Sequence, residues 1–566
     1  MSKKFSRREF LHRGAILGAA HTVLGGLTFS SIRYVRPPFD IVIRNGALID
    51  GSGTIEYVRD LGIKDGKIAL IGDLNAEDAD ISIDATGLKV TPGFVDIHSH
   101  TDVELFLNPK AESKIRQGVT TEVVGNDGDS WAPVGGPELQ KELREFKEYY
   151  DRVLSWRDFR GFFDALEKNK TAVNVASLVG LGTVRKIVVG LENRPASQEE
   201  LAAMEREVAA GIDQGCWGAS TGLEYTPGSF ASRSELVDLI QAVPKKSRLY
   251  ATHMRDEGDR LLESIDEAIE VARRSSARLQ ISHLKAQGTS NWKKVDGALA
   301  KIERAASEGV DVHADRYPYV AYNTGLASLF PLWAREGGRE RFFARLQDAS
   351  LANRIRLEVE SKVASLSGGW DGVLISSIFS DSNKIYQGKT VEQIVGGSSE
   401  DPFDFCRRLL IAEDGRVDMV GFGMEEEGTE TILAHPLVMI SSDAGASAPY
   451  GKLGEDRPHP RAYGTFPRAI ARYVRERNIV SLPEMVRKMT SMPAEKIGLP
   501  DRGRIEVGRA ADLVIFDYNT IEDRATYLNP HQYPTGISHV IVNGELVIKD
   551  GQHTGNLPGR VLRSSR

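Results

Sequence analysis

Eight apolar segments of strand length recur through the middle of the chain, at 91–100, 120–126, 172–181, 217–225, 249–255, 278–284, 311–319 and 437–443. Amphipathic helical runs, among them 197–214, 257–274 and 292–307, lie between most of them. Strands that alternate with helices pair in parallel and are buried on both faces, and eight such units fit a (β/α)8 barrel. The stretch 321–435 is too long for one crossover. It predicts an inserted subdomain, with helices at 339–346 and 351–363, over the barrel mouth. The barrel itself then takes 91–320 and 436–494.

The flanks read differently. Short alternating strands with Asn-Gly and Asp-Gly pairs fill 40–90, and the pattern returns at 511–517 and 539–551. Those dipeptides are hairpin signals. Two β-rich ends around a central body predict one small β-sandwich assembled from 37–90 and 495–566. The fold expected is therefore α/β: a TIM-like barrel, a composite sandwich and an insertion.

With 566 residues, 41% of them hydrophobic, the chain can bury a large core. A net charge of −7 argues against a nucleic-acid partner. Cys216 and Cys406 are far apart and outside any Cys-x-x-Cys, which excludes a disulfide framework and a four-cysteine zinc site. At the N-terminus, Ser6-Arg7-Arg8-Glu9-Phe10-Leu11 precedes an uncharged Ala/Gly/Leu-rich stretch at 14–32. This layout resembles a twin-arginine export signal over 1–36, with export machinery as partner and a periplasmic or otherwise exported destination. Left uncleaved, 14–32 is a marginal membrane anchor.

Four of the apolar segments run into His or Asp. His98 and His100 stand two apart on the first strand, so both side chains leave on one face. His253 and His283 end the fifth and sixth strands, and Asp443 ends the eighth. Barrel chemistry sits at strand C-termini, and imidazole favours zinc-like ions over calcium or magnesium. A carboxylate such as Asp443 can both hold metal and move a proton between water and a leaving amine. The set points to a metal-dependent hydrolase with one or two ions. His313 and His435 read as hydrogen-bonded barrel and loop residues, and the run Glu425-Glu426-Glu427 as a solvated turn.

Linked motifs carry a resemblance. Pro-Gly-Phe-Val-Asp-Ile-His-Ser-His-Thr-Asp (92–102), Ser-Thr-Gly-Leu-Glu-Tyr-Thr-Pro-Gly (220–228), Ala-Thr-His-Met-Arg (251–255), Ile-Ser-His-Leu-Lys (281–285), Arg-Tyr-Pro-Tyr (316–319) and His-Pro-Arg-Ala-Tyr-Gly-Thr-Phe-Pro-Arg (459–468) resemble, in order, the N-acyl-D-amino-acid deacylases of the amidohydrolase superfamily. The resemblance implies zinc-dependent hydrolysis of a small-molecule N-acyl-D-amino acid to a carboxylate and a free D-amino acid. It places the tightly bound metal on His253 and His283, with a third ligand after strand two, and a weaker position on His98, His100 and Asp443. It gives Tyr225 to the scissile carbonyl, Tyr317 and Arg461 to the substrate carboxylate, and Lys285 to a direct contact at the site.

The chain also departs from that pattern. The loop after strand two commonly reads Gly-Asn-Cys-Gly in the family, and here it is Gly125-Asn126-Asp127-Gly128. A carboxylate thus replaces a thiolate, and Asp127 becomes the candidate third ligand or a bridge between two ions. Ala444 stands where Gly is usual. Two other readings remain: an amidohydrolase acting on a dipeptide or cyclic amide, and a silent ligand-binding barrel. Many cyclic-amide enzymes use a lysine on strand four, and 217–225 contains none.

Overall fold

The structure, a computed structural model, describes residues 38–54, 56–244 and 248–564. The export-type segment expected at 1–36 lies outside them. Among the described residues, no helix is long and apolar enough to cross a membrane.

Eight parallel strands form the centre: β1 (Phe94–Asp96), β2 (Val119–Val124), β3 (Asn174–Ser177, continued by Val179–Gly180), β4 (Gly218–Gly222), β5 (Leu249–His253), β6 (Arg278–Ile281), β7 (Val312–Arg316) and β8 (Val438–Ile440). Each pairs with the next in sequence order, for example Asp96 with Glu122, Gly222 with His253 and Arg316 with Ile440. The circuit returns to β1 through the segments just beyond β1 and β8. Ser99 bridges Ala444, the Asp443 N–H donates to the His98 carbonyl (2.9 Å), and the His100 N–H donates to the Ala444 carbonyl (3.1 Å). Both faces of the strands are covered, and every residue of β2 and β5 is buried, Thr120, Thr121 and Glu122 included. The crossover helix Leu261–Ser275 shows why these segments are helical: Leu261, Ile265, Ala268 and Ala272 recur every three or four residues and are buried.

That helix starts four residues later than its periodicity suggests. Asp256 accepts from the Gly258 and Arg260 N–H groups, and the turn it stabilises aims Glu257 inward. The acidic run also differs from expectation. Glu425 is the N-cap of the helix Glu426–Ala434, where acidic residues suit the first turn, and Glu426 accepts from Arg472 and Tyr473.

The two ends of the chain share sheets. Lys89–Pro92 pairs antiparallel with Leu513–Phe516, bringing Pro92 opposite Leu513. Ile41, Leu48, Ile63, Val90, Leu513 and Ile541 pack into one core between a four-stranded and a seven-stranded sheet. Asp65-Gly66, Asn543-Gly544 and Asp550-Gly551 turn hairpins. Asn45-Gly46 does not. Phe39–Arg44 pairs with Asp60–Lys64, whereas Ala47–Ile49 pairs with Glu56–Val58, so this turn carries the chain from one sheet to the other. Farther along, 560–562 lies along β3: Val175 N–H donates to the Arg560 carbonyl (2.9 Å) and Leu562 N–H to that of Val175 (2.7 Å).

Between β7 and β8, strands Tyr322–Gly325, Val373–Ile378 and Val417–Gly421 form an antiparallel sheet, with helices Arg339–Gln347, Ala349–Ala364 and Pro402–Ala412 beside it. Phe330, Phe342, Ile355, Val359, Phe403 and Leu409 give this segment its own core.

Candidate active site

The side chains that the sequence singles out converge at the C-terminal ends of the eight strands, around Asp127. The loop bearing it fits only because of its glycines. Gly125 and Gly128 both have φ of 74°, and a Cβ on Gly128 would lie 2.5 Å from the Gly222 nitrogen. Asp127 faces four imidazoles: His98 Nε2 at 3.3 Å from Oδ1, and His100 Nε2 (3.5 Å), His253 Nδ1 (3.6 Å) and His283 Nε2 (3.5 Å) from Oδ2. Asp443 Oδ1 lies 3.1 Å from His100 Nε2 and 3.5 Å from His98 Nε2. Asp127, His283 and Asp443 all have left-handed backbone, with φ of 52°, 35° and 50°. Each such non-glycine conformation costs on the order of 1 kcal/mol, offset by packing around the site.

Behind three of these imidazoles stands a further carboxylate. Asp315 Oδ1 is 3.4 Å from His98 Nδ1, Glu257 Oε1 is 2.9 Å from His283 Nδ1, and Glu224 Oε2 is 3.1 Å from His253 Nε2. Each ring thus turns one nitrogen outward to an acid and the other inward toward Asp127. Burial alone would raise the Asp127 carboxyl, yet the His98 and His283 imidazoles carry it well below the usual carboxylate range. Burial likewise opposes a charged His98, and Asp127 and Asp443 reverse that, raising it well above its ordinary value.

These donors fit a divalent ion of the zinc type. Ligand atoms of His98, Asp127, His283 and Asp443 all lie within 4.8 Å of one another, as do those of His253, Glu257 and His283. Both ring nitrogens of His98, Asp127 Oδ1 and His253 Nδ1 are buried without a hydrogen-bond partner. Tetrahedral ligands about 2.0–2.1 Å from zinc sit about 3.4 Å apart, close to the gaps around Asp127 and too long for good hydrogen bonds. Nitrogen and carboxylate donors without thiolate suit such an ion.

The remaining expected residues line a cavity of about 550 Å³. Arg461 Nη1 donates to Asp443 Oδ2 (2.6 Å), so one oxygen of Asp443 is fixed while the other faces the imidazoles; Arg461 Nε has no hydrogen-bond partner. The Tyr317 hydroxyl is buried and unpartnered, with the Arg461 guanidinium 4.7 Å from its ring. Tyr225 Oη lies 3.2 Å from Thr324 Oγ1, and burial beside Glu224 and Asp127 holds its phenol protonated. Lys285 turns to Glu257 (2.5 Å) and to His283 Nδ1 (2.9 Å), and therefore steadies an imidazole as well as lining the cavity.

Four residues escaped the sequence reading. Glu224 lies inside the Gly-Leu-Glu-Tyr motif, Glu257 falls four residues after His253, and Asp315 falls two after His313 on the inward alternation of β7. Those spacings were readable. Lys362 was not: it reaches Glu224 (3.1 Å) from the helix Ala349–Ala364, and nothing local marks it.

Known proteins match this arrangement over nearly its whole length. The chain is 35% identical over 524 residues to an N-acyl-D-glutamate deacylase of Alcaligenes xylosoxydans xylosoxydans, covering 93% of this chain and 96% of that one. It is 34% identical over 527 residues to the D-aminoacylase of the same organism, covering 93% and 98%. The crystal structure of the N-acyl-D-glutamate deacylase of Bordetella bronchiseptica, complexed with zinc and a phosphonate inhibitor, superposes with a TM-score of 0.79 at 32% identity, covering 93% of this chain and all of that one. An amidohydrolase family model matches 430–548.

The chain belongs to the N-acyl-D-amino-acid deacylase family of amidohydrolases.

In this deacylase-family chain the site rests on a buried ionic floor. Lys114 Nζ holds Asp96 (2.9 Å) and Glu122 (3.0 Å) and donates to Ser442 (2.7 Å), joining β1, β2 and the end of β8 under the ligands. Removing one member would leave a buried charge uncompensated.

Proposed function

We propose that this protein hydrolyses the amide bond of N-acyl-D-amino acids, releasing a carboxylate and a free D-amino acid, with one or two zinc-type ions. The observation that carries the reading is Asp127 among four imidazoles, with Asp443 beside them and tethered by Arg461. The named relatives support the D-amino-acid class, and one solved D-aminoacylase is described as having a binuclear metal centre. His98, His100, Asp127, His253, His283 and Asp443 would hold the ions. When bound, they supply a Lewis acid for the scissile carbonyl and lower the pKa of water.

The protein's own groups do the rest. Arg461 Nε and the Tyr317 hydroxyl, unpartnered and adjacent, take the substrate α-carboxylate, a role suited to a rigid guanidinium. The protonated Tyr225 hydroxyl donates to the carbonyl oxygen as negative charge gathers there. Asp443 takes a proton on Oδ1 from the attacking water and returns it to the departing nitrogen, while Arg461 fixes Oδ2. Lys285 and Glu257 keep His283 oriented.

In the same reading, the eight parallel strands are the (β/α)8 barrel and 321–435 is its lid, since Tyr322, Asn323, Thr324 and Asp418 line the cavity from that segment. The leader at 1–36 sends the folded enzyme through the twin-arginine route, which the paired arginines support. The test is zinc-supplemented turnover of matched N-acetyl-D- and N-acetyl-L-amino acids. D-selective amine release that chelator abolishes and metal restores is expected. No turnover by metal-loaded protein would end the reading.

A further inference from the structure

The active-site cavity has an annex of about 160 Å³ that shares Glu104, Asn323, Asp418, Asp443, Gly445 and Arg461 with it. Three of the annex walls bring acids. Glu104 stands in the short turn Glu104–Phe106 that follows the paired histidines, and a Cβ on Gly445 would sit 2.1 Å from its Oε2. That oxygen is shut from solvent and has no hydrogen-bond partner. Asp418 lies on the strand Val417–Gly421, in register with Gly325 on one side and Ser377 on the other. Asp456 enters from the loop after β8 and accepts from Ser377 Oγ (2.7 Å).

Cations nearby are engaged elsewhere. Arg461 pairs with Asp443, and Lys186, on the main cavity, pairs with Glu142 (2.8 Å). Arg457 lines the annex but donates Nη1 to the Leu528 carbonyl (2.9 Å). Among the described residues, no ion pair reaches Glu104, Asp418 or Asp456. Burial raises Glu104 to about 7 and Asp418, with Asp456 beside it, to about 6, so the recess gathers three acids whose ionised forms lack a counter-charge beside the groups assigned to the α-carboxylate. A cation entering such a recess stabilises the ionised carboxylates and is held by them, whereas an anion gains nothing from acids that burial pushes toward neutrality.

We propose that this annex is the subsite for the substrate side chain and that it selects a cation, so that the preferred substrates are N-acyl derivatives of basic D-amino acids. The inference rests on the deacylase reading. An acidic side chain, such as that of N-acyl-D-glutamate, would meet three further acids there. A lysine or arginine side chain anchored by its α-carboxylate at Arg461 would extend into the recess and pair there.

The test is kcat/KM of the zinc-loaded full chain on N-acetyl-D-lysine, N-acetyl-D-arginine, N-acetyl-D-leucine and N-acetyl-D-glutamate, repeated for Asp418→Lys and Glu104→Gln. The lysine or arginine derivative should exceed the glutamate derivative at least a hundredfold, and Asp418→Lys should lower that ratio at least tenfold, with a smaller drop for Glu104→Gln. Equal or better use of the glutamate derivative overturns the proposal, as does a ratio that neither substitution moves. Turnover confined to the leucine derivative removes the cationic subsite and keeps the deacylase. Silence on all four removes both.

Discussion

Glu257 Oε1 lies 2.9 Å from His283 Nδ1, on the side of the ring opposite Asp127. The same carboxylate holds Lys285, and the Lys285 and His283 charges pull it down to about 2 against the raising effect of burial. It therefore stays ionised and, with Lys285 also 2.9 Å from Nδ1, holds the ring so that Nε2 faces Asp127. Glu257→Gln should weaken metal binding by roughly 10–100-fold, the usual effect of losing a ligand's carboxylate partner. Competition with a chelator measures this, and an unchanged metal affinity would refute the orienting role.

Asp127, where the family resemblance implies a cysteine, faces imidazoles of both candidate ligand groups. Asp127→Ala should release metal on dialysis and lower kcat/KM by roughly 10³-fold, the equivalent of several kcal/mol of charge stabilisation. Asp127→Cys should retain metal, and its cobalt form should gain a sulfur-to-metal charge-transfer band that the parent lacks. Full metal content in the alanine variant would show that Asp127 is no ligand.

Asp443 is assigned the proton transfers. Asp443→Asn keeps the shape and the Arg461 contact but not the base, so turnover should fall by roughly 10²–10⁴-fold. Circular dichroism and melting temperature should stay close to the parent's. Activity within tenfold of the parent would remove the assignment.

Away from the site, burial lowers the Lys488 ammonium from its ordinary 10.5 to about 7. Its Nζ donates to the carbonyls of His435 and Val438, so the neutral amine remains satisfied in the core. The folded state then binds its proton less readily than the unfolded chain does. Stability tied to Lys488 rises with pH between about 7 and 10.5, by at most about 1.4 kcal/mol per pH unit. Lys488→Met should remove that slope, and equal slopes in urea unfolding of the two proteins would contradict it.

How much of this was legible depends on the distance over which a pattern is written. The strand ending in His253 shows itself in five consecutive buried residues, and His98 with His100 in a spacing of two. Both are local. The turn at Asn45-Gly46 carries the same dipeptide as the hairpin at Asn543-Gly544, and only the competing partners of the flanking strands separate them. Glu224 and Glu257 sat within or beside recognised motifs, yet an acid behind an imidazole has no signature without the third dimension. Lys362 is the extreme case, because its partner is 138 residues away on a different layer.

His100 and Asp443 meet 3.1 Å apart although 343 positions separate them. At synthesis rates of about 5–20 residues per second, the paired histidines exist for roughly 20–70 s before Asp443 is made. During that interval the chain already carries Asp127, His253, Glu257 and His283, but the group of His98, Asp127, His283 and Asp443 stays one carboxylate short. Completion of that group therefore belongs to the finished chain: it waits for the segment beyond β8, whereas the group of His253, Glu257 and His283 is written entirely within 31 consecutive residues.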